Sequence, residues 1–248
     1  MLLFLVYHKI SGTQRRDVFT VDPAAFLAHL RMVKESGVPI VDPRTLKAEG
    51  SGDSEGVVLT FDDGTADHFQ AARPILENFS ARAIFYVSTE RIGRSEYLTA
   101  DQIQTLHEDG HTIGSHSHCH RPLHQLTREL VAHELGASAT ILCDVTGERP
   151  IHFSPPGGLY SRIVVEEARR EGYQFFRTMN WGYNRRLKPM AIAVVPMTNG
   201  TGMRFLESAL RGEGEWSLKL LYYVKNAIRG SFPGYGAFRS TAMQLLDR

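Results

Sequence analysis

Short apolar runs rich in β-branched and aromatic residues recur along the chain at 2–7, 38–41, 57–61, 83–87, 112–115, 151–153, 174–177 and 191–195. Runs this short, bounded by turn-forming positions, read as buried strands. Between them, apolar positions three and four apart mark helices at 23–36, 66–79, 99–109, 127–145 and 162–171. Strand and helix alternate, the pattern of a parallel sheet with crossover helices. Thr99 ahead of Ala100, Asp101 and Gln102 has the form of a capping box, and Gly37, Gly110 and Gly172 stand where left-handed helix caps fall. Beyond residue 195 helical spacing takes over at 205–210 and 218–228, a pair expected to pack against the barrel.

At 248 residues the chain fits one large domain. The expected fold is α/β: a distorted (β/α) barrel of seven or eight strands, TIM-type, over 1–248, with 199–248 as a C-terminal helical extension. The polar loops at 51–56 and 212–216 are too short to be interdomain linkers. A formal charge of +1 leaves no overall field to draw in nucleic acid or an anionic membrane, so no nucleic-acid partner is expected. The local basic run of Arg185, Arg186 and Lys188 reads as a solvated loop. The opening MLLFLVY is apolar for only seven residues before His8 and reads as a first strand, not a signal peptide or membrane span. That favours the cytoplasm, with association with the cell envelope as the alternative. Cys119 and Cys143 are too few for a disulfide framework or a cysteine-based zinc site, and Cys119 is expected to be a buried neutral thiol.

Histidine changes this bland picture. Of eleven in the chain, His111, His116, His118, His120 and His124 fall within fourteen residues. They follow the strand at 112–115, and His116 and His120 stand four apart, a spacing that lets two imidazoles share a first-row metal. A second cluster closes the strand at 57–61, which runs directly into Asp62-Asp63-Gly64. Adjacent side chains on extended backbone diverge, so one carboxylate can face a metal while the other faces substrate or water. The carboxyl ends of barrel strands are where active sites gather. Two histidines and one carboxylate leave coordination positions open, the mark of a catalytic rather than structural site. Hydrolysis of an amide or ester is the chemistry such a site suits.

Together, Thr60-Phe61-Asp62-Asp63-Gly64 and the histidine loop resemble the polysaccharide deacetylase family, metal-dependent enzymes that remove N- or O-acetyl groups from sugars. Val6-Tyr7-His8-Lys9 is similar to the strand that opens many members, and Asp22-Pro23-Ala24-Ala25-Phe26 to their first helix; the likeness covers about the first 180 residues. It implies that Asp62 is the general base and that Asp63, His116 and His120 hold one divalent ion, with zinc first and cobalt, nickel, manganese or iron acceptable. The implied substrate is an acetylated carbohydrate: a polysaccharide, an oligosaccharide or, for a cytoplasmic enzyme, a sugar precursor.

Two departures stand out. Many members carry an arginine, which orients the catalytic carboxylate, where this chain has Ser154 in Phe153-Ser154-Pro155-Pro156-Gly157-Gly158. The family's late general-acid histidine is missing altogether, since no histidine follows His152. His8 and His118 are the candidates for that role, and His8, at the end of the first strand, is the expected catalytic histidine. Pro156, Gly157, Tyr160 and Trp181, with Tyr183, are the candidate substrate contacts, because rigid loops and aromatic faces suit sugar rings. Two other classes fit the same residues: a metal- and carbohydrate-binding protein that has lost turnover, and a non-haem iron oxygenase.

Overall fold

The expected strand runs carry apolar residues on both faces, and they fold as strands buried on both sides. In the computed structural model, which describes residues 1–12, 17–48 and 55–228, these are β1 (Leu2–Tyr7), the short pair β2 (Lys9–Ile10) and β3 (Thr20–Val21), β4 (Gly56–Phe61), β5 (Ala83–Val87), β6 (Thr112–Ser115), β7 (His152–Phe153), β8 (Phe175–Trp181) and β9 (Ile192–Pro196). Among the described residues seven of them close into a parallel barrel in the order β1-β4-β5-β6-β7-β8-β9, sealed where β9 pairs with β1. Around it lie α1 (Pro23–Glu35), α2 (Arg73–Asn78), α3 (Ala100–Glu108), α4 (Arg128–Thr146), α5 (Arg162–Arg170), α6 (Met203–Leu210) and α7 (Glu215–Ile228).

Strand register decides which side chains reach the barrel interior. Tyr7 pairs with Phe61, Phe61 with Phe85 and Phe85 with Ile113, while Ser115 pairs with Phe153 and Phe153 with Phe176. These residues face outward: the rings of Tyr7, Phe61 and Phe85 stack at 5.5 and 4.9 Å with Phe26 of α1 edge-on to Tyr7, and Ser115 Oγ meets Ser138 Oγ of α4. Because side chains alternate along a strand, the residue after each outward one turns in. His8, Asp62, Tyr86, His116, Ser154 and Arg177 therefore converge inside the barrel, most of them at its carboxyl-terminal mouth.

Three elements differ from expectation. The run at 38–41 forms no barrel strand; it contributes one bridge, Ile40 to Val57, since Pro39 has no N–H to donate and Pro43 opens a 3-10 turn. The helix at 66–79 is split into a π-turn, His68–Ala72, and α2, because Pro74 can neither donate to the carbonyl four residues back nor pass it without a clash. β8 runs on to Trp181 through a register shift against β9. The capping box at Thr99 and Gln102 is formed, and Gly37, Gly110 and Gly172 have φ of 75°, 87° and 90°. In the C-terminal part, α6 packs on α1 and α7 on β8. Most of the 51–56 loop, and the extension past residue 228, lie outside the described residues. No described helix is long and apolar enough to cross a membrane.

Candidate active site

The chain leaves β4 through Asp62, 2% exposed and hydrogen-bonded through its N–H to the Tyr7 carbonyl, and then turns sharply at Asp63 (φ 76°) and Gly64 (φ 70°). That turn swings the second carboxylate from the barrel axis toward the histidine loop. Ser117 (φ 61°) and His120 (φ 56°) are also left-handed, so three non-glycine residues at the mouth hold strained backbone, a pattern associated with functional sites. The loop is pinned from below. Glu134 of α4 accepts the backbone N–H groups of His118 and Cys119 at 3.0 and 2.7 Å, and Ser117 Oγ accepts that of His120 at 3.2 Å.

The result is a compact donor set. Asp63 Oδ1 lies 2.9 Å from His120 Nε2 and 3.5 Å from His116 Nε2, and a ligand atom from each residue lies within 4.8 Å of the others. His116 Nδ1 donates to the carbonyl of Ser154 at 2.7 Å, which fixes the tautomer and leaves the Nε2 lone pair facing Asp63. Burial lowers the His116 pKa to about 4, so the ring is neutral and able to ligate near pH 7. For Asp63 burial acts upward, but the hydrogen bond with His120 and the nearby His116, His8 and His120 rings outweigh it and hold the carboxyl well below the usual carboxylate range. Two imidazoles and one carboxylate form a donor set that fits a divalent first-row ion.

Asp62 belongs to a different network. Arg177 Nη2, wholly buried, stands 2.6 and 2.5 Å from its two oxygens and also donates to Ser154 Oγ. On the other side His8 Nε2 lies 4.0 Å from Asp62 Oδ2, its ring 4.7 Å from that of Phe19. The His8 backbone carbonyl accepts from His68 Nε2, so the π-turn helps to set the end of β1. Asp62, Asp63, His8, His116 and His120 all line one cavity of about 460 Å³.

The expected residues divide. Gly157 lines this cavity, as does Gly158, where a Cβ would fall 2.2 Å from Met179 Cβ. Pro156 is buried behind them and does not line it. Tyr160 packs edge-on against Phe176 and accepts from Asn180 Nδ2, away from the cavity. Trp181, 2% exposed, and Tyr183 line a separate cavity beside α7, with Trp181 against Tyr222. A strict period of two would put Met179 and Trp181 on one face of β8; the register shift against β9 between Arg177 and Trp181 breaks it, so Met179 lines this cavity and Trp181 the other. His118 points to Thr89 Oγ1 at 2.9 Å and does not line the cavity, which leaves His8 as the histidine facing Asp62. Cys119 is half-buried, not buried as expected; burial, with Glu134 beside it, raises its pKa to about 11 and keeps it a thiol. Phe19 and Tyr97 are the aromatic residues at the cavity, and neither carries a sequence signal. Arg177 is also outside the expected set; an arginine ending the strand run at 174–177 is its one signal in the sequence.

The family model for polysaccharide deacetylase matches residues 49–176. The chain is 28% identical over 177 residues to YxkH of Bacillus subtilis, a protein provisionally named a polysaccharide deacetylase, covering 70% of this chain and 62% of that one. It is 27% identical over 127 residues to the peptidoglycan-N-acetylmuramic acid deacetylase PdaA of the same organism, covering 50% and 47%. The chain thus spans less than two thirds of the length of these relatives. Among solved structures it superposes on the deacetylase PplD of Streptococcus pyogenes with a TM-score of 0.76 at 23% identity, covering 86% of this chain and 98% of that one. IcaB from Ammonifex degensii gives 0.74 at 19%, covering 85% and 95%; at these identities the likeness shows a shared fold. With a family match over more than half its length, on a barrel whose mouth gathers the motifs of that match, the protein belongs to the polysaccharide deacetylase family.

Proposed function

We propose that this domain is a metal-dependent hydrolase that removes an N- or O-acetyl group from a carbohydrate and releases acetate. One observation carries the reading. A carboxylate held by an arginine, Asp62, and a separate carboxylate-dihistidine donor set open into the same cavity, facing a third histidine.

Asp63, His116 and His120 are the residues that would hold the ion, zinc first. When bound, it supplies Lewis acidity toward the acetyl carbonyl oxygen and makes water a better nucleophile at neutral pH. The remaining roles fall to the protein. Asp62, outside the donor set, takes the proton from the attacking water as general base. His8, across the cavity, gives a proton to the departing amine or alkoxide. Gly157 and Gly158 keep the wall bare where the sugar enters, and Tyr97 and Phe19 offer it ring faces. Other residues stand where the two departures leave gaps: Arg177 lies beside Asp62 although position 154 is serine, and His8 faces Asp62 although no late histidine is present.

The test is acetate release from a panel of acetylated chitooligosaccharides and O-acetylated sugars, comparing the metal-loaded protein with Asp62→Asn. Release by the parent and a loss of about 1000-fold in kcat in the variant, with metal retained, is the expected result. No release from any member by the metal-loaded parent contradicts the proposal.

A further inference from the structure

Arg177 heads the fully buried side chains by size, and it is charged. Among the described residues its ion-pair partner is Asp62, whose two oxygens lie 2.6 and 2.5 Å from Nη2. The guanidinium carbon sits 4.9 Å over the ring of Tyr86, and Nη1 lies 3.1 Å from Met179 Sδ. Tyr86 is itself wedged in place: a Cβ on Gly114 would fall 2.7 Å from its ring, so the glycine is what lets tyrosine lie under the arginine. Ser154, just past β7, completes the arrangement, accepting from Arg177 through Oγ and from the His116 ring through its backbone carbonyl.

A buried ion pair often contributes little net stability, so stability alone is a weak reason for this one. Its direction is informative. Arg177 does not line the cavity; it grips Asp62 from the barrel interior, and Asp62 does line it. Contact by one nitrogen leaves carboxylate lone pairs free on the cavity side.

We infer that Arg177 is a positioning residue: it supplies the counter-charge of Asp62, aims its free lone pairs into the cavity, and stops the carboxylate from turning to join Asp63. Ser154 links that base to the ligand side, since one residue fixes both Arg177 and His116. The short Ser154 side chain leaves the space that the guanidinium enters from β8, so exchanging the residues at 154 and 177 keeps a guanidinium beside Asp62. This inference rests on the hydrolase reading above for its kinetic consequences, but its geometric consequence does not.

The experiment compares the zinc-loaded parent chain with Arg177→Met, Arg177→Lys, Arg177→Ser and the exchange Ser154→Arg with Arg177→Ser, by acetate-release kinetics, and adds a crystal structure of Arg177→Met. Expected are a fall in kcat of about 100-fold in Arg177→Met with KM within about threefold, and an Asp62 carboxylate rotated from its place. The exchange should recover at least about tenfold of the kcat lost in Arg177→Ser, which a merely structural role does not predict. A kcat within about threefold of the parent in Arg177→Met, or no recovery in the exchange, overturns the inference while leaving the deacetylase reading intact. If Arg177→Met does not fold, Arg177→Lys decides, with about a tenfold loss of kcat at unchanged KM expected and parental kcat contradicting. A parent that releases no acetate sinks the hydrolase reading instead. The structure of Arg177→Met then decides alone, and an unmoved Asp62 refutes the positioning role.

Discussion

His8 Nε2 and Asp62 Oδ2 face each other at 4.0 Å across the barrel mouth, at the ends of the adjacent strands β1 and β4. Each follows an outward aromatic residue, Tyr7 and Phe61, so the same alternation turns both inward. The gap is wider than a hydrogen bond, which suits a proton donor and a proton acceptor serving opposite sides of one reacting group.

If His8 protonates the leaving group, His8→Asn should lower kcat on an N-acetyl sugar by about 100-fold. An aryl acetate, whose leaving group needs no proton, should lose less than about fivefold. Equal losses on the two substrates, measured side by side, count against the assignment.

Substrate contact should follow the cavity, not the loop that looked aromatic in sequence. Tyr97→Ala is expected to raise KM for an acetylated oligosaccharide by about tenfold, the scale of one lost ring contact. Trp181→Phe, a change beside α7, should leave KM within about twofold. If the two variants exchange these outcomes, the second cavity is where the sugar sits.

Acid should destabilise the fold through its buried histidines. Burial lowers His29 and His111 to about 4, Arg82 adding to the effect on His111, and lowers His152 to about 3, all from 6.5. The His111 ring accepts the Ala83 N–H at 3.2 Å through Nδ1, a bond that protonation removes. Between roughly pH 6.5 and 4 the unfolded chain takes up protons that the folded one refuses, so stability is complete above that window and falls as pH drops through it. Thermal unfolding of the metal-free protein across that range should show Tm decreasing with each step down; a flat Tm contradicts the account.

Much of the barrel was legible because its strands are short apolar runs and its helices are capped: the boundaries of β1, β5 and β6 match the runs at 2–7, 83–87 and 112–115. Asp62, Asp63, His116 and His120 were legible for a related reason, since each sits within a few residues of a strand end and local sequence carries that information. The missed features depend on long-range register. Arg177 reaches Asp62 across 115 positions of sequence, and only the pairing carried from β4 through β5, β6 and β7 to β8 reveals that both point inward. Trp181 looked like a sugar platform because an aromatic in a loop motif gives no sign of which side of a strand it will occupy. Phe19 and Tyr97 come to the cavity from separate connecting segments that share no pattern with each other.

The central claim is that Asp63, His116 and His120 hold the ion on which deacetylation depends. It is tested most directly by stripping the protein of metal and titrating zinc back while following acetate release, with His116→Ala in parallel. The account predicts that activity rises to a plateau at about one ion per chain and that His116→Ala neither retains the ion nor gains activity. Full activity in the stripped protein, or in His116→Ala, would contradict it.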